Sequence, residues 1–407
     1  MTKNVVFLAP HLMPGTLVFL RATAQLPNIQ LGIISHHPAS AIPPDLKPNI
    51  EAHYQIQNAL DPIQVAKAAQ FIGSRLGGIS CLLGYLEELQ VTLGEVRDML
   101  GIPGLGKQAS LNFRDKSQMK TLLRQHGLPC AAHAVAHTAK EAIDFCQQTG
   151  FPVVVKPPAG LGTRNTYEIK SPSELKNYLA KHPPSNGSPV MLEEFVVGSE
   201  HSFESMCRNG QTLWHSLTRY YPTPLEVMQN PWIQWCVLLP RDIDGPEYAD
   251  IRAVAARANQ VLGMQTGLTH MEWFRRRDHS IAISEVGARP PGAQIMKIIS
   301  YAHDVDFYQS WANLVVHGQF QPPERKYAVG AAYLRGQKSG RVKAIHGLDK
   351  AQSEIGGLVV DVQLPQKGQL KSSSYEGEGY VLLRHEDTET VKHALKRLIT
   401  LVQVEME

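Results

Sequence analysis

The chain has 407 residues, 43% of them hydrophobic and 19% charged, and a net charge of +3. That is ordinary for a globular protein of two to four domains, and the charge is too small to argue for a nucleic-acid surface. No apolar run reaches the eighteen residues a membrane span needs, and Val5 to Ala9 is too short for a secretion signal, so a cytoplasmic protein without membrane or nucleic-acid partners is expected.

Val5 to Ala9 reads as a strand, followed by a helix between Gly15 and Gln25 and a strand from Leu31 to Ser35. Asp61 before Pro62 marks a helix start, a capping side chain with proline at the first helical position. Ile79 to Leu83 is a third strand and Glu87 to Leu100 a helix. This alternation predicts a parallel sheet covered on both faces in a domain of residues 1–110.

Residues 111–196 follow another pattern. Strands are expected at Ala131 to Ala136, Phe151 to Lys156, Arg164 to Ile169 and Val190 to Phe195. Thr138 with Glu141 and Ser171 with Glu174 are capping boxes that open the two intervening helices. The order β-α-β-β-α-β implies a small α+β lid of antiparallel type. Residues 197–325 form a core with a helix from Pro246 to Leu262 and a hairpin near Asp278. Pro322-Pro323 precedes a C-terminal α+β cap, residues 326–407, with an amphipathic helix from Thr388 to Leu401. The five cysteines are scattered, with no C-x-x-C pair and no zinc spacing, which suits reduced thiols.

The strongest chemical signal is Thr269-His270-Met271-Glu272-Trp273-Phe274, a charged turn, then Ile281-Ala282-Ile283-Ser284-Glu285-Val286-Gly287-Ala288-Arg289. A turn centred on Asp278-His279 sets Glu272 opposite Glu285, with Cβ atoms about 5 Å apart. Two carboxylates that close repel unless a cation lies between them, and a hard divalent cation with oxygen ligands fits. Arg289, four residues on, projects to the same face and adds a positive fork. A one-residue slip would put the acids on opposite faces, leaving a surface hairpin with two incidental acids.

The second signal is Val153-Val154-Val155-Lys156 before the glycine loop Ala159-Gly160-Leu161-Gly162-Thr163. A lysine ending an apolar strand beside approachable backbone suits phosphate, although a hairpin turn has the same composition. The ending of a P-loop is missing. Lys116 is a weaker phosphate candidate. The third signal is Met191 to Gly198 followed by Glu200, Ser202 and Glu204, which share one face of a strand and point to solvent or to a ligand. Trp232 and Trp235 are candidates for an acceptor pocket, with core packing the competing reading; His270 is a weak candidate base.

In this order the features resemble the ATP-grasp superfamily over roughly residues 111–318, and the L-amino acid ligases within it. The resemblance implies a multidomain α/β and α+β chain: an N-terminal parallel domain, a lid, an antiparallel core and a cap. It implies Lys116 and Lys156 on the phosphates of ATP, with Gly160, Gly162 and Thr163 as a loop over them. Glu193, Glu194, Phe195 and Val196 would form the adenine hinge, and Glu200 would hold the ribose. Glu272 and Glu285 would bind one Mg2+ and a second beside it, Mn2+ substituting, and Arg289 would act with Glu285 in catalysis. The family carries an asparagine ligand where this chain has Gly287, so the second metal's coordination is open.

The implied activity joins a carboxylate to an amine, both expected to be amino acids, through an acyl phosphate. A homodimer is common in such enzymes. Two other readings stand beside it. One is a carboxylase or formyltransferase of the biotin carboxylase or purine type; the other is a nucleotide-binding module without chemistry.

Overall fold

The computed structural model describes residues 2–156, 166–230 and 232–407. Strands β1 (Lys3–Leu8), β2 (Ile29–Ser35), β3 (Ile50–Gln55) and β4 (Cys81–Leu83) form a parallel sheet in the order β3-β2-β1-β4. Both faces of β1 are buried. Val5 and Phe7 face the helices Pro14–Ala24 and Phe307–His317, while Val6 and Leu8 face Pro62–Leu76 and Gln90–Leu100. Asp61 caps the helix that Pro62 begins, accepting from the backbone N–H of Ile63 at 2.9 Å. Two details differ from expectation. β3 is an additional edge strand, and the stretch expected as one helix from Glu87 opens with a 3-10 turn, Glu87–Leu89.

The lid contains β5 (His133–Ala136), β6 (Val153–Lys156), β7 (Tyr167–Ile169) and β8 (Val190–Glu194), antiparallel in the order β5-β8-β6-β7. The capping box at Thr138 and Glu141 is complete, and Ser171 caps the helix Pro172–Lys181. The start expected for β7, Arg164, and the glycine loop lie outside the described residues.

The large sheet begins with β9 (Gly198–Arg208), β10 (Gln211–Tyr221), β11 (Trp235–Leu239), β12 (Gly267–Arg276), β13 (Ile281–Gly287) and β14 (Ala328–Leu334). Of the later strands, β15 (Val342–His346) pairs with β18 (Gln403–Met406), while β16 (Val359–Gln363) and β17 (Gly379–His385) join the large sheet. Its order is β13-β12-β9-β10-β11-β14-β17-β16, so the chain after residue 326 extends the core sheet as well as covering it. The helix Ala249–Leu262 packs on one face; Ile295–His303 and Phe307–His317 pack on the other. The helix that follows β13 starts at Ile295, after Gln294 in a left-handed conformation. Among the described residues no helix is long and apolar enough to cross a membrane.

Candidate active site

The β12–β13 hairpin sets two acids face to face. Its turn is one residue tighter than expected, because His279 donates to the Arg276 carbonyl and adopts φ +68°. That turn pairs Arg275 with Ile281 and Trp273 with Ile283, which on its own would set Glu272 against Ser284. A bulge at Ser284 shifts the ladder by one, and Glu272 pairs with Glu285. Met271 and Trp273 point to the buried side against the helix Ala249–Leu262, so His270, Glu272 and Phe274 share the opposite face.

Neighbouring strands extend this polar face. β9 places Ser202 beside Glu272, Glu204 beside His270 and Glu200 beside Phe274. Glu200 is 8% exposed; burial and the nearby charge of Glu272 push its carboxyl well above the usual range. Glu204 is fully buried and its Oε1 stands 2.8 Å from His270 Nδ1, while His270 Nε2 lies 3.8 Å from Glu272. Burial alone would lower the His270 pKa, but the hydrogen bond to Glu204 and the nearby Glu272 carboxylate outweigh it and raise it to about 9.

Cations converge from other elements. The helix Lys116–Gln125, capped by Asp115, carries Lys116, whose Nζ lies 2.5 Å from Glu285 Oε1. Burial would raise the Glu285 pKa, but Lys116 and Lys156 hold it at about 2. Lys156, at the end of β6, lies 2.8 Å from Glu193 Oε2, and Lys120 lies 3.3 Å from the same carboxylate. Burial lowers the Lys120 pKa; for Lys156 burial is outweighed by Glu193, Glu285 and Glu272, which raise it. The Glu194 side chain is tied to Arg276 and to the Ala132 N–H. Arg289 donates to Glu87 Oε2 at 2.7 and 3.1 Å, so its ion-pair partner is Glu87 rather than Glu285.

Most of these groups, though not Lys120, Ser202, Glu204 or Arg276, line one cavity of 680 Å³, a size that suits a small-molecule ligand. Lys116, Lys156, Glu200, Glu272, Glu285 and Arg289 all reach it. Glu193, Glu194, Phe195 and Val196 form part of its wall. Gly160, Gly162 and Thr163 lie outside the described residues. Trp235 is buried and lines the cavity, whereas Trp232 is 61% exposed. Among the described residues no cluster of three or more His, Cys, Asp or Glu side chains is placed to hold a metal ion. Two opposed carboxylates with a phosphate-bearing ligand still make a fitting Mg2+ site, because that ion is commonly held by one or two carboxylates plus substrate phosphates.

Sequence reasoning missed Lys120, Glu87 and the Glu204–His270 pair. Lys120 had a usable signal, since it follows Lys116 by one helical turn and shares its face. Glu87 had none, being 202 positions from Arg289.

A family model for the ATP-grasp domain matches residues 121–297. The L-arginine-specific L-amino acid ligase of Bacillus subtilis is 24% identical over 273 residues, 65% of this chain. The match spans 64% of that protein's own length, less than two thirds. An L-amino acid ligase from Bacillus licheniformis superposes over 100% of this chain and 99% of its own, with a TM-score of 0.78 and 17% identity. An N5-carboxyaminoimidazole ribonucleotide synthetase from Thermotoga maritima superposes over 100% of both chains, with a TM-score of 0.69 and 17% identity.

Proposed function

The chain carries an ATP-grasp domain and has the ATP-grasp fold, and from that premise we propose that it is an ATP-dependent carboxylate–amine ligase acting on amino acids. One observation carries the proposal. Two opposed acids, Glu272 and Glu285, share a cavity with Lys116, Lys156 and Arg289. Phosphoryl transfer needs that kind of positioning and charge neutralisation rather than a covalent protein nucleophile.

In this reading Lys116 and Lys156 leave Glu285 and Glu193 to meet the phosphates of ATP. Glu272 and Glu285 would hold Mg2+, which neutralises phosphate charge. Arg289 fixes the substrate carboxylate, one oxygen of which attacks the γ-phosphorus. The bond to the β–γ bridging oxygen breaks, giving ADP and an acyl phosphate. The amine nitrogen then attacks the carbonyl carbon, phosphate leaves, and the nitrogen loses its proton. Arg289 steadies the oxyanion that forms between these events. The backbone of Phe195 and Val196 would take the adenine and Glu200 the ribose. All five cysteines are free, which supports a cytoplasmic setting. A homodimer is part of the same proposal.

The test is a screen for ADP release across amino acids, singly and in pairs, with products identified by mass. ADP release that requires an amino acid and yields a dipeptide or amide supports the proposal. Release that depends on bicarbonate or formate instead would establish the carboxylase or formyltransferase chemistry.

A further inference from the structure

A second cavity, of 610 Å³, lies beside the part of β10 that β11 leaves unpaired, and among the described residues it shares no lining residue with the first. Its inner wall holds Arg325 and His303, and its mouth carries Asp242, Asp244 and Glu324. The Arg325 guanidinium donates to the Pro240 carbonyl and to Ser216 Oγ, each at 2.7 Å. Both acceptors are neutral, and among the described residues Arg325 makes no ion pair. Burial drives its pKa down to about 10, against the opposing pull of the Glu204 and Asp244 charges, neither of which lies within ion-pair distance.

His303 is 2% exposed. Its Nδ1 lies 2.8 Å from the Ile299 carbonyl, and since a carbonyl only accepts, Nδ1 carries the proton. Burial and the charge of Arg325 hold the ring pKa at about 4, so Nε2 is a bare acceptor at neutral pH. That nitrogen has no partner among the described residues. At the mouth, the Asp244 side chain is 87% exposed and stands 3.4 Å from His215 Nε2 without a hydrogen bond.

The cavity thus offers unspent positive donors inside, a bare acceptor beside them, and a free carboxylate at the rim. A simple anion answers only the first of these, and an amine only the other two. A molecule carrying a carboxylate and an ammonium on one carbon answers all three. We propose that this cavity is a binding site for an α-amino acid, separate from the active-site cleft. Its carboxylate sits on Arg325, and its ammonium lies between His303 Nε2 and Asp244. The site touches the chemistry at one remove, because Ser216, which receives the Arg325 hydrogen bond, pairs across the sheet with Glu204, the partner of His270.

Calorimetric titration of glycine and L-alanine into the full chain without ATP tests this, independently of whether the protein forms amide bonds. Saturable binding should survive Arg289→Met and weaken at least about tenfold in Arg325→Met, as expected for losing a charge-assisted hydrogen bond. Asp244→Asn, at an exposed position where folding is not at stake, should weaken glycine while leaving acetate unaffected. Acetate and methylammonium alone should each bind more weakly than glycine. Binding abolished by Arg289→Met but untouched by Arg325→Met and Asp244→Asn would overturn the proposal. So would the absence of saturable binding by either amino acid.

Discussion

Lys116 Nζ stands 2.5 Å from Glu285 Oε1, joining a helix at the edge of the lid to the β13 strand of the core. The pair matters because both partners are assigned elsewhere in the reaction, Lys116 to phosphate and Glu285 to Mg2+. Each neutralises the other, whereas Glu272 and Glu200 in the same cleft have no such lysine partner at ion-pair distance among the described residues. Glu285→Gln keeps the shape and removes the charge. It should lower the rate of ADP release by roughly 10²–10³-fold, the scale of losing one preorganised electrostatic contact. The thermal melt should fall as well, because buried Lys116 loses the Glu285 counter-charge, but by less than for Glu193→Gln, since the Glu285 side chain is 23% exposed. Undiminished ADP release in this variant would sink the assignment of Glu285.

Glu193 is ion-paired with Lys156 at 2.8 Å and with Lys120 at 3.3 Å, and neither Glu193 nor Lys120 is more than 5% exposed. Removing the acid leaves two ammonium groups facing each other in a buried site. Glu193→Gln should therefore cost about 3–5 kcal/mol of stability, the usual penalty for breaking a buried ion pair from one side. Lys120→Met leaves Glu193 paired with Lys156 and fills the space with an apolar chain, so its cost should be clearly smaller. Urea unfolding of both variants decides this; equal losses would mean that the two lysines do not share Glu193 energetically.

Much of this was legible from local pattern. The caps at Asp61, Thr138 and Ser171, and the lid's β-α-β-β-α-β order, depend on neighbours close in sequence. The Glu272–Glu285 pairing was also anticipated, but by a different route from the real one. The expected turn centre would have paired them in a regular ladder, whereas the actual turn is tighter and the bulge at Ser284 restores the match. A bulge responds to strand twist and packing against other strands, which the hairpin sequence does not encode. The hidden parts were of the same kind. Glu87 reaches Arg289 only because the parallel domain docks on the core, and β3 is a polar edge strand with little alternation to mark it.

His303 makes the fold sensitive to acid. Its folded-state pKa of about 4 lies below the ordinary histidine value of about 6.5. The unfolded chain therefore binds the proton first as pH falls. The stability that comes from keeping this ring neutral is fully present above pH ~6.5 and is lost progressively down to pH ~4. The shift corresponds to roughly 3 kcal/mol at most. Chemical denaturation across that range should show a steeper fall for the natural chain than for His303→Gln, which has no proton to gain. Parallel curves would show that the ring titrates alike in both states.

Gly287 stands where the proposed metal site would take a third protein ligand, and its surroundings show that the glycine is not demanded by space. A Cβ there would find its nearest neighbour, Arg289 Cγ, at 3.6 Å, an ordinary contact. The residue lies opposite His270 on the face that carries Glu272 and Glu285, so a longer polar side chain would point at the same cavity. Gly287→Asn should therefore fold normally and add an oxygen ligand next to the two acids. We expect the Mg2+ concentration for half-maximal ADP release to fall roughly tenfold, in line with the effect of groups around a metal site. The added amide also sits against the Arg289 stem, so the KM for the carboxylate substrate should rise if Arg289 has to swing away from Glu87 to reach it. A variant with unchanged Mg2+ dependence would mean that position 287 does not face the metal, and that Glu272 and Glu285 act without a third protein ligand at this point of the strand.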